Sequence, residues 1–285
     1  MRSRSVLVVD DDPAVHKLLS GVLVRDGRVV QDAYNSRDAL SRLRVSACDV
    51  VVAGSGRNGL DGLRLLPRIR ALRPAARVIV TGEPDPTRAI GALRRRAFSY
   101  LHKPLAPGPM ADIVQQAFEA TSWQDDLRVV SAVPEWLSLD IRCKMQVAER
   151  TVQFLREALS DLPVNTREDV GAAFRELLMN AIEHGARSDP RKRVRASLVR
   201  TSWALIGHVH DPGPGFSLDF LPHAAISNPD ADPTRHVDVR VERGQRPGGF
   251  GILMTRGLVD ELVYNERGNA ALFVKRVPNR SPAQP

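Results

Sequence analysis

Glu176, Asn180 and His184 stand at i, i+4 and i+8 within "FRELLMNAIEHGA", which sets a carboxylate, an amide and an imidazole along one helix face. Phe174, Leu177, Leu178, Ala181 and Ile182 fill the other side. Alone, such a row reads as the wet side of an amphipathic helix. Two glycine clusters further on add a second reading. "HDPGPGF" ends a pair of alternating strands with Asp211, Gly213 and Gly215, and "RPGGFGI" puts Gly248, Gly249 and Gly251 at a helix start. Glycines there let backbone amides come close to a phosphate, and the helix N-terminus favours its negative charge. Each cluster by itself is a weak signal, whereas the ordered set is a strong one for phosphate binding.

A second group of reactive residue types lies in the first 120 residues, at the ends of short apolar runs. Asp10 and Asp11 follow the run 6–9, Gly54 follows 49–53, Thr81 lies in 77–82 and Lys103 in 98–104. A further apolar run covers 29–34, and helix-period segments fall at 13–25, 36–45, 60–72, 86–96 and 108–120. Buried strands alternating with amphipathic helices imply a parallel sheet covered on both faces. Such sheets carry their sites beyond the carboxyl ends of the strands, where these residues stand.

With "VLVVDDDPAV" at its start and "SYLHKPL" at its end, this region resembles the receiver domain of two-component response regulators, a flavodoxin-like (βα)5 fold. The resemblance implies Mg²⁺ at Asp10 and Asp11, switch roles for Thr81 and Lys103, and the aromatic switch position at Tyr100. The phosphoacceptor falls on Gly54. An acyl phosphate needs a carboxylate nucleophile, which glycine lacks, so the expectation is a pseudo-receiver. Ser55 should point away from the pocket, since successive side chains alternate at a strand end. Asp49 and Asp61 should not reach the pocket either.

The remaining chain has to place the first set of residues. A boundary near 121–130 gives a receiver-like domain over 1–122, a linker over 123–134, a second domain over 135–277 and a polar, disordered tail over 278–285. Expected elements are a strand in "EWLSLDIRC", a helix over 144–161, a second helix capped by Asn165 or Thr166 with acids in its first turn, strands over 194–201 and 203–210, and a helix over 251–259.

The set "ELLMNAIEHG", "DPGPGF" and "GGFGI" resembles the α/β-sandwich ATP-binding fold shared by histidine kinases, gyrase, Hsp90 and MutL, the GHKL or Bergerat fold. The resemblance implies ATP and Mg²⁺ as cofactors. It gives Asn180 to the metal, Asp211 to the adenine amine, Gly213 and Gly215 to close passage of the nucleotide, and Gly249 and Gly251 to the phosphates. The stretch 217–247 becomes a mobile lid. No histidine occurs between His102 and His184, so the dimerisation module of a histidine kinase is absent from that interval. The layout is closer to the anti-sigma-factor serine kinases, in which the glutamate at position 176 acts as base. Relatives carry a threonine near the last strand that supports the adenine aspartate, where "GNAALFVKR" shows Ala270 and Ala271.

The leading expectation is therefore a protein serine kinase that phosphorylates an antagonist protein and binds a sigma factor, with the receiver as a docking or regulatory domain. Two alternatives stay open: a nucleotide-gated partner switch without turnover, and a histidine-kinase-like ATPase acting in trans in a two-component pathway. A homodimer is among the allowed states. The bulk numbers agree with two globular domains: 285 residues, 43% hydrophobic and 26% charged. The net charge of +8 comes in short arginine runs without aromatic interleaving, so solvated surface is favoured over a nucleic-acid partner. Cys48 and Cys143 lack metal or disulfide spacing, and no apolar run reaches membrane length, which makes a cytoplasmic chain with free thiols the expectation.

Overall fold

The computed structural model describes residues 4–24, 28–56, 59–121, 123–216 and 250–278, with Arg235 and Glu242. Two compact units emerge, one of Met1–Gln124 with Gln153–Asp161 and one of Asp125–Val152 with Leu162–Pro285.

In the first unit β1 (Ser5–Val9), β2 (Val29–Ala33), β3 (Val50–Ala53), β4 (Arg77–Gly82) and β5 (Ser99–His102) form a parallel sheet in the order β2-β1-β3-β4-β5. Val6–Val9 and Val50–Ala53 are almost wholly buried, as strands covered on both faces must be. Helix α1 (Pro13–Leu23) packs on α5 (Pro107–Glu119), while α2 (Ser36–Val45) meets α3 (Gly62–Leu72), which in turn meets α4 (Pro86–Arg94). The loops start these helices with a shared device. Asp12, Asn35, Asp61 and Asp85 each accept a hydrogen bond from a backbone amide two or three residues on. Each such cap contributes about 1 kcal/mol. This is the flavodoxin-like (βα)5 arrangement expected from the alternation of runs.

In the second unit six strands pair antiparallel in the order β10-β11-β9-β8-β7-β6. They are β6 (Leu127–Val133), β7 (Trp136–Arg142), β8 (Arg193–Arg200), β9 (Ala204–His210), β10 (Glu261–Tyr264) and β11 (Ala270–Arg276). Helix α6 (Met145–Glu157), whose residues from Gln153 on belong to the first unit, and α7 (Val164–Asn180) connect β7 to β8, and α8 (Gly251–Leu258) precedes β10. Leu137, Leu139, Ile141, Val194, Ala196, Leu198, Val209, Ala271 and Phe273 make a buried inner face. Phe273 meets Phe174 of α7 edge-on at 5.0 Å. Gly207 lies opposite Phe273 in the ladder, and a Cβ there would fall on the phenyl ring, so glycine creates the slot. An antiparallel sheet with helices on its inner face fits the α/β-sandwich expectation.

Two expectations change here. Residues 123–134, read as a linker, contain a 3-10 turn (Trp123–Asp125) and the edge strand β6. The register of β6 slips between Val129 and Ser131, so its apolar residues do not alternate and the strand signal is blurred. Helix α7 starts at Val164 behind Pro163 with no side-chain cap and no acid in its first turn, rather than after Asn165 or Thr166. Pro163 turns the chain before Asn165 and Thr166 can cap it, which leaves both inside the helix. Among the described residues no helix is long and apolar enough to cross a membrane. Cys48 and Cys143 are free, and burial pushes both thiols up to about 11.

Candidate functional site

Three elements of the second unit converge. Glu176 and Asn180 lie one turn apart on α7, and Gly251 opens α8 against them. A Cβ at Gly251 would stand 2.8 Å from Glu176 Oε2 and 3.6 Å from Asn180 Nδ2. Glycine lets the first turn of α8, with its free amides, come this close to the carboxylate and amide without displacing the Glu176 side chain. The Thr255 hydroxyl, fully buried, donates to the Gly251 carbonyl at 2.8 Å and holds that turn in place. Arg175 Nη1 lies 3.4 Å from Glu176 Oε1, while its Nε and Nη2 reach Glu149 Oε1 of α6 at 2.8 and 2.7 Å. His184 departs from the row. After Asn180 the helix widens into a π-type turn over Ala181–Gly185, which carries His184 out into solvent.

That turn has a purpose which the sequence did not advertise. Its last residue, Gly185, supports Asp211: a Cβ at Gly185 would collide with the Asp211 carboxyl group. Gly213 sits equally close to the Gly185 carbonyl, and its amide donates to Asp211 Oδ1 at 2.7 Å. Burial raises the Asp211 carboxyl above the usual carboxylate range, opposed by the Gly213 amide, His210 and Arg267.

Behind Asp211 lies a clasp of asparagines. The Asp211 amide donates to the Asn269 carbonyl at 3.0 Å, and Asn269 Nδ2 returns a bond to the Asp211 carbonyl at 3.3 Å. Asn269 is buried and is itself fixed by Asn265, which accepts its amide at 3.0 Å and donates to its Oδ1 at 2.9 Å. Asn269, one residue before Ala270, thus holds the main chain of Asp211 and not its carboxyl group. Gly215 and Gly268 complete the clasp with φ of +84° and +73°, each packed too tightly on the facing chain for a side chain. Phe216 stacks edge-on with Tyr264 at 5.3 Å. Gly249 and nearly all of the lid stretch 217–247 fall outside the described residues.

In the first unit Asp10, Thr81 and Lys103 gather at the carboxyl ends of the strands. Asp10 is 1% exposed, with Lys103 Nζ 2.8 Å from Oδ2 and 3.1 Å from Oδ1, the directed hydrogen bond going to Oδ1. Thr81 is fully buried and its hydroxyl has no hydrogen-bond partner. Tyr100 is buried, donates to the Glu83 carbonyl at 2.6 Å, and has its phenol pushed up to about 12 by burial. The Lys103–Pro104 peptide is cis. Where a residue at Gly54 would put its Cβ stands Asp10 Oδ2, and Asp11 occupies the corresponding place at Gly56. Ser55 turns to Arg88 of α4, whose Nη2 donates to Ser55 Oγ at 2.6 Å and to Asp61 Oδ1 at 2.8 Å. Arg88 and its two partners form a cross-link that the alternation of runs did not reveal.

Comparison with known proteins agrees with both folds. Residues 142–275 match the family model of the histidine kinase-like ATPase domain, and residues 6–115 that of the response regulator receiver domain. The chain is 29% identical over 123 residues to the DNA-binding transcriptional regulator NtrC of Azospirillum brasilense, covering 43% of this chain and 26% of that protein. It is 32% identical over 117 residues to the transcriptional regulatory protein ZraR of Salmonella typhimurium, covering 41% and 26%. It therefore spans about a quarter of the length of these curated relatives. Among solved structures, a BeF3-activated DrrB receiver domain is 26% identical, covers 42% of this chain and 100% of its own, and superposes with a TM-score of 0.39. A response regulator from Thermotoga maritima is 25% identical with the same coverages and a TM-score of 0.38. The polypeptide joins a response regulator receiver domain to a histidine kinase-like ATPase domain.

Proposed function

We propose that the ATPase domain is an ATP- and Mg²⁺-dependent protein serine kinase of the anti-sigma-factor type, which phosphorylates a small antagonist protein and binds a sigma factor. The observation that carries this reading is the meeting of Glu176 and Asn180 at the N-terminus of α8. The residues fit the nucleotide: a carboxylate seated on Gly185 and Gly213 for the adenine amine, and a glycine at a helix start for the phosphates. Asn180 would hold Mg²⁺ through its side-chain oxygen, and the bound ion supplies charge neutralisation at the phosphates. Glu176 accepts the proton of the serine hydroxyl as it attacks. Arg175, bridging Glu176 and Glu149, limits how far that carboxylate swings.

The receiver domain acts by binding and not by taking phosphate. Position 54 offers no nucleophile, the neighbouring space is filled by Asp10, and Ser55 is engaged by Arg88. Acetyl phosphate is expected to leave the chain unlabelled on a phosphate-affinity gel, and a labelled receiver would contradict this assignment.

The decisive experiment recovers the chain from cells with its bound protein. ATP should release that protein or a competing antagonist should become phosphorylated on serine, detected by mass spectrometry. Tight ATP binding with no transfer to any recovered protein would discard the kinase in favour of a nucleotide-gated switch.

Asn269 gives an independent check on the adenine side. Replacing it with alanine removes the bond to the Asp211 carbonyl and leaves buried polar groups unpaired, a cost of about 1–3 kcal/mol. Asn269→Ala should accordingly weaken ATP binding by roughly 5- to 100-fold in calorimetry, with Asn269→Thr losing less. Equal affinity for the alanine variant would remove Asn269 from the site.

A further inference from the structure

Along β11 the side chains of Ala271 and Phe273 enter the core, and Lys275 is next in that alternation, paired with the fully buried Leu205. An apolar residue would pack better on this inner face, since a charge drawn out of water costs stability unless it is paired. The half-buried ammonium is paired on two sides. Lys275 Nζ donates to Asp169 Oδ2 of α7 at 2.7 Å and to the Leu258 carbonyl of α8 at 2.8 Å. That carbonyl belongs to the last turn of α8, where carbonyls lack intrahelical donors and a cation complements the negative end of the helix.

Asp169 stands in line with the nucleotide site. It shares one face of α7 with Glu176 and Asn180, at i, i+7 and i+11. Gly251 approaches Glu176 and Asn180, while Leu258 is tied to Asp169 through Lys275. Helix α8 therefore runs antiparallel along α7 and is fixed at both ends. The spans match, with seven residues from Asp169 to Glu176 and seven from Gly251 to Leu258. Each covers about 10 Å of helix. The glycine sets how near the two helices lie, and the directed bonds at the far end oppose sliding of one along the other.

We infer that Lys275 is a positioning residue for the nucleotide phosphates. It sets the axial position of α8 on α7, and with it the place where the amides of the first turn of α8 meet a phosphate. This role rests on the nucleotide reading of the site given above. A slide of about 1.5 Å, the rise of one residue, takes an amide out of hydrogen-bonding distance of a phosphate oxygen. The adenine side is built separately, since Gly185, Gly213 and Asn269 hold Asp211 without Lys275.

Two measurements separate the clamp from the nucleotide reading. Lys275→Met keeps the stem of the side chain and removes its charge. Without nucleotide, the amides of α8 in this variant should exchange with deuterium at least ~10-fold faster than in the wild-type chain. ATP affinity in calorimetry should fall at least ~10-fold, the effect of losing one hydrogen bond to a charged group, with adenosine affinity by NMR titration within about twofold. General destabilisation would weaken both ligands alike. Lys275→Arg should recover most of the ATP affinity, because a guanidinium can donate to both partners. Asp169→Asn should show the same pattern at smaller size, and it replaces Lys275→Met if circular dichroism finds that variant unfolded. Unchanged exchange in a folded variant would overturn the clamp. Faster exchange with equal losses for ATP and adenosine, or with no loss of either, would overturn the positioning role. If exchange rises as expected but the wild-type chain binds no ATP, the nucleotide reading falls and takes the positioning role with it.

Discussion

Glu176→Gln is expected to lower serine phosphotransfer by roughly 10²- to 10⁴-fold, the range associated with removing a positioned general base. Glutamine keeps the volume and the hydrogen-bonding reach of the side chain, so the approach of Gly251 to within van der Waals distance is preserved. What disappears is the capacity to accept a proton. In the proposed reading Glu176 binds neither the adenine nor the phosphates, so ATP affinity should change by less than about threefold. The two readouts together make the test sharp. Loss of transfer with retained affinity assigns Glu176 as the base. Unchanged transfer would contradict that assignment, and joint loss of both would mean that the carboxylate holds α7 against α8 instead. Arg175→Ala offers a graded companion, since it frees Glu176 and removes the positive charge beside it.

Asp126→Ala should destabilise the ATPase domain by about 3–5 kcal/mol, the cost typical of removing one member of a buried ion pair. Asp126 and Arg150 are each 4% exposed, with Arg150 Nη2 3.9 Å from Asp126 Oδ2 and Lys144 Nζ 2.8 Å from Oδ1. Burial pulls the Arg150 guanidinium down to about 10, and the Asp126 charge is what opposes that pull. Without the carboxylate, the buried guanidinium loses the Asp126 charge in a low-dielectric site. Urea unfolding followed by tryptophan fluorescence measures the loss. The paired change Asp126→Ala with Arg150→Met should recover most of it, since it removes both charges and keeps the packing volume. If the single variant costs less than about 1 kcal/mol, the pair is a surface-like contact and the buried-charge argument fails.

Particular residues show what was legible in the chain. The five parallel strands could be read from runs such as "VLVV" and "DVVVA", because burial on both faces leaves no room for polar alternation. The caps Asp12, Asn35, Asp61 and Asp85 stand at residue types that start helices by local hydrogen bonding alone. Glu176 and Asn180 were readable for the same reason, since helical spacing is a local property. Strand β6 was not, because a bulge breaks its period and its stability comes from pairing with β7. Asn269 and Gly185 were equally silent. Each matters only through Asp211, which lies 58 residues from the one and 26 from the other.

The sequence by itself determined the two α/β folds, the amphipathic face of α7 and the glycine-opened start of α8, all of which follow from short-range periodicity and turn chemistry. It also determined that position 54 holds no nucleophile. Only the tertiary structure decided that Asp10 occupies the space beside Gly54, that Arg88 links Ser55 to Asp61, and that Asn269 and Gly185 hold Asp211. Those outcomes depend on which side chains the packed sheets and helices bring within hydrogen-bonding distance. Distance in space, unlike period along the chain, exists only once the chain has folded.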